Sequence, residues 1–318
     1  MGVSDDSDHL LASAARMYYL DQLDQRDVGE LLGVSRSTVS RLLKNARERG
    51  IVQISVSPYD PRDRQREAAL CTRFGARHAI VIRTTGRSTA HAGRTVGYFG
   101  APAVAELIGA GATIGVSGGR TLAALVQHIA PTETAQNVTV VQLMGNIGPK
   151  PGDIDGLEIS HELARRLQST FYTVNAPAVV QDMRARDMLL AHQHIRIIWD
   201  LFDSLTLAFV GIGTLAESIF VERGVFSPTE LDQLHQWGGV GEICGRFYDR
   251  DGRECATQHR DRVLSIDLDV LQRCAEVVGV TNGPRRATAV RAALRGGLIT
   301  SLVIDDVGAD AVLADAEA

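Results

Sequence analysis

The sequence predicts an α/β protein in two parts: a helix-turn-helix segment over residues 1–57, and a larger α/β domain with a mostly parallel sheet over 58–318. Three observations lead there. Short helical patterns run up to Ser57-Pro58-Tyr59-Asp60-Pro61, where two prolines disfavour helix on both sides. Beyond that point apolar strand runs alternate with amphipathic helices, the pattern of a parallel sheet with crossover helices. The length of 318 residues suits two domains.

In the first part, Leu23 to Leu43 carries two apolar helix faces, Val28, Leu31 and Leu32, then Val39, Leu42 and Leu43. Gly33-Val34-Ser35 lies between them. Gly33 suits the positive φ of a tight turn, and Ser35 is a good N-cap for the second helix. This is the spacing of a helix-turn-helix whose second helix enters the major groove of double-stranded DNA. The candidate DNA-binding residues are Ser35, Arg36, Ser37, Thr38, Ser40, Arg41 and Lys44. From Ser35 to Gly50 five bases face one acid, in a chain whose net charge is −5. Gly29 stands where this motif usually has alanine and is expected to cost roughly 1 kcal/mol of helix stability. Ile51 to Val56 alternates like a short strand, either a wing beside the DNA backbone or a strand packed on the helices.

In the second part the expected order begins with a helix over Asp63 to Phe74, stopped by Gly75, and a strand over His78 to Arg83. A helix over Ala90 to Ile108 leads to a strand over Ala112 to Val116, a helix over Thr121 to Ile129 and a strand over Val138 to Leu143. Strands follow at Leu205 to Val210 and Glu276 to Val280. A helix over Arg285 to Leu294, closed by Gly296-Gly297, precedes a last strand over Leu298 to Ile304.

Glycine loops follow four of these strands. The first, Ser117-Gly118-Gly119-Arg120-Thr121, lets backbone approach a ligand and presents a helix start, two hydroxyls and a cation, which suits phosphate. A structural turn reads equally well. The spacing is not that of a nucleotide P-loop, and Gly109-Ala110-Gly111 precedes its strand, so no dinucleotide fingerprint is present. The other loops are Met144-Gly145-Asn146-Ile147-Gly148, Gly211-Ile212-Gly213-Thr214 and Thr281-Asn282-Gly283-Pro284-Arg285-Arg286. Ligands in open α/β sheets sit at the carboxyl ends of strands, so these loops are expected to converge on one pocket. Arg285 and Arg286 oppose a helix dipole, which calls for an anion beside them or for solvent exposure.

The composition, 45% hydrophobic and 22% charged, excludes a largely disordered chain, and no apolar run reaches the ~20 residues of a membrane-spanning helix. The acidic start, Met1 to Asp8, has no secretory pattern, and Cys71, Cys244, Cys255 and Cys274 show no disulfide or metal spacing, so a cytoplasmic protein with reduced thiols is expected. The only lysines are Lys44 and Lys150. His192-Gln193-His194 lacks ligand partners, Asp305-Asp306 suits cap duty, and neither a metal nor a cofactor is expected.

Taken in order, five stretches resemble the SorC family of sugar-responsive bacterial transcription regulators over nearly the full chain. They are LLGVSRSTVSRLLKNARERGIVQI (31–54), IGVSGGRTLAAL (114–125), FVGIGTL (209–215), GGVGEICGRFYD (238–249) and GVTNGPRRATAVRAALRGGLITSLVIDD (279–306). The resemblance implies an effector domain similar to ribose-5-phosphate isomerase and glucosamine-6-phosphate deaminase, used for sensing. It also implies a sugar or sugar phosphate as effector and a homodimer or homotetramer on operator DNA, with no membrane partner. Carried over by position, Ser117, Gly118, Gly119, Arg120 and Thr121 hold the phosphate, and Gly213, Thr214, Gly241 and Glu242 line the sugar, with Gly145 and Asn146 beside them. Arg286 stands where similar sequences often have lysine, and Met144 offers no amine, so a Schiff base is not expected. The alternative is an isomerase- or deaminase-type enzyme with an appended DNA module, for which Glu242 and Asp305-Asp306 are the candidate proton carriers.

Overall fold

Three helices open the chain in the computed structural model, which describes residues 3–57, 59–84, 89–148 and 152–314. Pro58 of the expected linker and Lys150 lie outside the described residues. The helices are α1 (Val3–Tyr19), α2 (Gln25–Leu32) and α3 (Arg36–Glu48). Leu11, Ala14 and Ala15 of α1 close a small core with Val28 of α2 and Val39, Leu43 and Ala46 of α3. Asp24 caps α2 by accepting from the amides of Arg26 and Asp27 at 2.7 and 2.9 Å. Gly33 ends α2 at φ 65°, and the Ser35 hydroxyl accepts from the Thr38 amide at 3.2 Å, so turn and cap are as expected.

Two expectations need correction here, those on Leu31 and on residues 51–56. Leu31 is 65% exposed and contributes nothing to the core. A Cβ on Gly29 would sit 2.7 Å from the Val34 carbonyl oxygen, so the turn has closed into the space that alanine would fill. Residues 51–57 form no strand: no other strand lies in the segment up to Tyr59 to complete a ladder, and only Val52 packs partly on the helices.

The chain divides into two compact units, Met1–Tyr59 and Asp60–Ala318. The second starts with α4 (Arg64–Phe74), β1 (His78–Ile82), α5 (Thr89–Ala105), β2 (Thr113–Val116), α6 (Arg120–Val126) and β3 (Thr139–Gln142). It continues through α7 (Gly156–Leu167), β4 (Thr170–Tyr172), α8 (Met183–Leu190), α9 (Gln193–Phe202), β5 (Leu207–Gly211), α10 (Ile219–Glu222) and α11 (Pro228–Gln236). A hairpin, β6 (Gly241–Ile243) and β7 (Arg246–Tyr248), precedes α12 (Leu268–Arg273), β8 (Glu276–Val280), α13 (Ala287–Arg295), β9 (Ser301–Asp305) and α14 (Asp306–Leu313). The expected strand from Leu298 starts at Ser301, and the helix expected from Arg285 is preceded by a 3-10 turn over Pro284–Arg286.

Seven strands form one parallel sheet in the order β1-β9-β8-β5-β2-β3-β4. Both faces are covered, which explains the continuous apolar runs of the strands. Ile80, Ile114, Phe209, Val278 and Val303 pack on one side with α5, α6 and α7, whereas Val81, Ala208, Val277 and Leu302 pack on the other with α4, α13 and α14. From β2 the chain steps outward to β3 and β4; from β5 it steps the opposite way to β8 and β9. The crevice where the winding reverses therefore opens between the carboxyl ends of β2 and β5, where this architecture places ligands.

Candidate functional site

The exposed face of α3 carries Arg36, Ser37, Ser40, Arg41 and Lys44, while Val39 and Leu43 turn inward. A short polar and basic row on one helix is therefore available to a groove and its phosphates. Ser35 and Thr38 are less free: the Ser35 hydroxyl caps the helix and lies 2.9 Å from the Thr38 hydroxyl, which in turn accepts from Arg41 at 3.4 Å. Lys44 pairs with Glu48 at 3.6 Å, both in solvent, so a phosphate can replace that partner at little cost.

At the reversal between β2 and β5 a cavity of about 1050 Å³ opens. All four glycine loops converge on it, contributing Ser117 to Thr121, Met144 to Ile147, Gly211 to Gly213 and Val280 to Arg286. Gly93 and Arg94 of α5, Ala124 of α6, the start of α7 and the segment from Ala216 to Glu222 complete the wall, and Glu242 and Cys244 form part of the lining. Gly118 and Gly211 make the convergence geometrically feasible, because a Cβ on Gly211 would lie 2.3 Å from the Gly118 carbonyl oxygen. Ser117 locks that approach: its hydroxyl accepts from the Gly211 amide at 2.9 Å and donates to the Gly118 carbonyl at 3.1 Å.

The first loop is thus more self-occupied than its sequence suggests. Ser117 is used by Gly118 and Gly211, the Gly119 amide donates to the Ile154 carbonyl at 2.9 Å, and the Thr121 hydroxyl donates to Asn282 Oδ1 at 2.7 Å. Thr121 and Asn282 tie the loop after β2 to the loop after β8. Asn146 accepts from Gln142 at 3.0 Å, and the Gly145 backbone packs on Ala176 and Pro177.

Thr214 and Gly241 are corrected from lining to support. Thr214 caps a 3-10 turn over Leu215–Glu217 through the Glu217 amide, and Gly241 faces the Tyr248 ring, where a Cβ would come within 2.3 Å. Neither lines the cavity.

Four arginines line the cavity: Arg94, Arg120, Arg285 and Arg286. Arg286, with a side chain 15% exposed, pairs with Glu217 at 2.7 Å and donates to the Asn282 carbonyl at 2.9 Å. Burial pulls its guanidinium below the usual value, with the Glu217 carboxylate working the other way. Arg285 reaches the other Glu217 oxygen at 3.3 Å, and Arg120 pairs with Glu222 at 2.6 Å. The anion that the arginines at this helix start called for is therefore supplied by the chain itself. Sequence reasoning missed Glu217 and Glu222, whose partners lie 68 and 102 residues away and leave no local signal.

Glu242 is buried, and burial raises its carboxyl above the usual range, opposed by hydrogen bonds from the Gly245 amide and the Ser218 hydroxyl, each at 2.9 Å. Burial also pushes the neighbouring Cys244 thiol up to about 12, which keeps it protonated and unreactive. Asp305 caps α14 through the Gly308 amide, and Asp306 accepts from Thr84, so that pair is in structural use. His192 and His194 are exposed and stacked on each other, and no described group of side chains could hold a metal ion.

A family model described as "Putative sugar-binding domain" matches residues 61–314, and one for Sigma-70 region 4 matches residues 16–49. The chain is 30% identical to the sorbitol operon regulator of Klebsiella pneumoniae, over 97% of this chain and 98% of that one. The chain belongs to the SorC family of sugar-binding transcriptional regulators. It is 31% identical to the transcriptional regulator YjhU of Escherichia coli strain K12, over 97% of this chain and 95% of that one. The crystal structure of the full-length SorC regulator from Klebsiella pneumoniae superposes with a TM-score of 0.77 at 29% identity, covering 96% of this chain and 98% of that one. SorC-family membership makes the chain a transcriptional regulator rather than an enzyme, and the isomerase or deaminase alternative is not favoured. No described helix is long and apolar enough to cross a membrane.

Proposed function

We propose that this SorC-family regulator binds operator DNA through α3 and is controlled by a sugar or sugar phosphate in the cavity between β2 and β5. The observation that carries the reading is the convergence of four strand-end loops and four arginines on one cavity, in a chain that opens with a helix-turn-helix. Arg36, Ser37, Ser40, Arg41 and Lys44 would meet the DNA directly, with Ser35 and Thr38 holding the start of the helix. In the cavity, Arg120 and Arg286 would take an anionic group, while Gly118, Gly119, Gly145, Asn146, Gly213 and Glu242 would shape the sugar site. Ser117 and Thr121 would act by holding the loops. A homodimer or homotetramer would present two helix-turn-helix heads to half-sites a whole number of helical turns apart. Kinship of the sheet with ribose-5-phosphate isomerase and glucosamine-6-phosphate deaminase belongs to the same proposal.

The test is a thermal-shift screen of the full chain against sugars and their phosphates. A true effector at 100 times its Kd adds about 2.7 kcal/mol of stability, and the same compound must change operator affinity. Silence across the panel sinks the reading. For the DNA half, Arg41→Ala is expected to weaken operator binding and to reduce the slope of log affinity against log salt by about 1. An unaltered slope would remove Arg41 from the phosphate contacts.

A further inference from the structure

The segment from Thr214 to Arg223 crosses the cavity wall with its polar side chains bound to the surrounding loops. Glu217 holds Arg285 and Arg286, Ser218 donates to Glu242, Glu222 holds Arg120, and Arg223 pairs with Asp155 at 2.9 Å. Its two glutamates serve cations from two different loops, the one after β2 and the one after β8. Glu217 places one oxygen on Arg286 and the other on Arg285, and Glu222 meets Arg120 through one oxygen, charge-assisted contacts of the kind that a phosphate oxygen also makes with a guanidinium. Arg286 is largely buried and Glu217 is three-quarters buried, so that pair is screened by water far less than an ordinary surface pair.

We propose that Glu217 and Glu222 are resident counter-anions on Arg286 and Arg120, and that the anionic group of the effector acts by replacing them. The inference rests on the effector reading above and adds to it a charge requirement and a moving part. A neutral sugar has no charge to exchange and leaves both ion pairs intact. A phosphate dianion carries more charge and more acceptor oxygens than a carboxylate, so it can displace the glutamates from the arginines. Once displaced, the glutamates lose their hold on the loops and the 214–223 segment is released. Ligand charge is thereby converted into a change of backbone on the cavity wall, the differential interaction that a switch requires.

The experiment uses the full-length chain and the isosteric double variant Glu217→Gln, Glu222→Gln, with Glu106→Gln, Glu133→Gln as a control. The control removes the same charge from exposed positions outside the cavity. At constant ionic strength, the probes are inorganic phosphate, ribose 5-phosphate and ribose. The apparent Kd for inorganic phosphate should fall about tenfold in E217Q/E222Q and stay within twofold in the control. Amide hydrogen exchange over residues 215–224 should rise in unliganded E217Q/E222Q, and should rise in wild type on adding phosphate. An unchanged or weakened phosphate affinity in E217Q/E222Q overturns the counter-anion role. If sugar phosphates stabilise the wild type under that same result, the effector reading survives without it. If ribose or another neutral sugar alone stabilises the wild type, the charge requirement is wrong. If no probe and no sugar of the wider screen acts on either protein, both readings fall.

Discussion

Gly211→Ala is expected to abolish the effector response while leaving effector-free operator binding intact. The new methyl would stand 2.3 Å from the Gly118 carbonyl oxygen and 3.3 Å from the Gly119 Cα, so backbone rather than a pliant side chain has to yield. Overpacking of this kind costs about 1–3 kcal/mol of stability. The functional loss should be larger. Moving the 117–119 stretch breaks the Ser117 bridge to the Gly211 amide and shifts Arg120, which lines the same cavity as Arg286. Losing one charge-assisted hydrogen bond of about 1.5–3 kcal/mol weakens an anionic ligand at least tenfold. On the proposed reading, operator binding without effector depends on α3, which lies in the other unit. Parallel measurements of operator affinity with and without effector check this. A variant that still responds to the effector at wild-type concentrations would show that the loop approach is dispensable.

Acidification from pH 7 to 4 is expected to remove about 3 kcal/mol of stability through His259 alone. This side chain is buried with Phe220, Phe226 and Phe247 around it, the Phe226 ring centroid 4.6 Å away. Nε2 sits 2.8 Å from the Gly245 carbonyl, and Nδ1 has no hydrogen-bond partner among the described residues. Burial pushes its pKa down to about 4 from the ordinary 6.5, with Arg262 and Arg246 adding to the effect and the Gly245 carbonyl and Glu230 opposing it. The unfolded chain therefore takes up the proton first. Stability from this group is complete above about pH 6.5 and drains away as the pH falls toward 4, at 1.36 kcal/mol per pH unit. Urea unfolding of wild type and His259→Phe across that range isolates the contribution, since the variant lacks the titrating ring. Equal losses in the two proteins would mean the histidine is not held neutral.

Where glycine follows an apolar run, the chain was readable. The loops after β2, β3, β5 and β8 could each be located from sequence, and the parallel winding placed their strand ends together. Capping chemistry was equally legible at Ser35, whose neighbours are all local. What escaped notice had no local signature. Strand β4 is three residues long, and the β6–β7 hairpin turns through Cys244 at φ 53° and Gly245 at φ 75°. Cysteine in that conformation departs from the Asn-Gly or Asp-Gly signal that marks such turns. Ile51 to Val56 erred the other way: alternation alone suggested a strand, but a strand exists only with a partner to receive its hydrogen bonds. The glutamates on the cavity wall were invisible for a related reason, because ion pairs between distant segments are written in the fold and not in spacing.

The sheet order carries a consequence for biosynthesis. Strand β1 sits at an edge and, among the described residues, its only strand partner is β9, with His78 and Ser301 joined across 223 residues of chain. At about 5–20 residues per second, a ribosome needs roughly ten to forty-five seconds to deliver that partner. Until then β1 exposes an unpaired flank inside a growing polypeptide. A premature stop codon before residue 301 would therefore delete the neighbour of the first strand as well as the last, leaving a product prone to aggregate however intact its head.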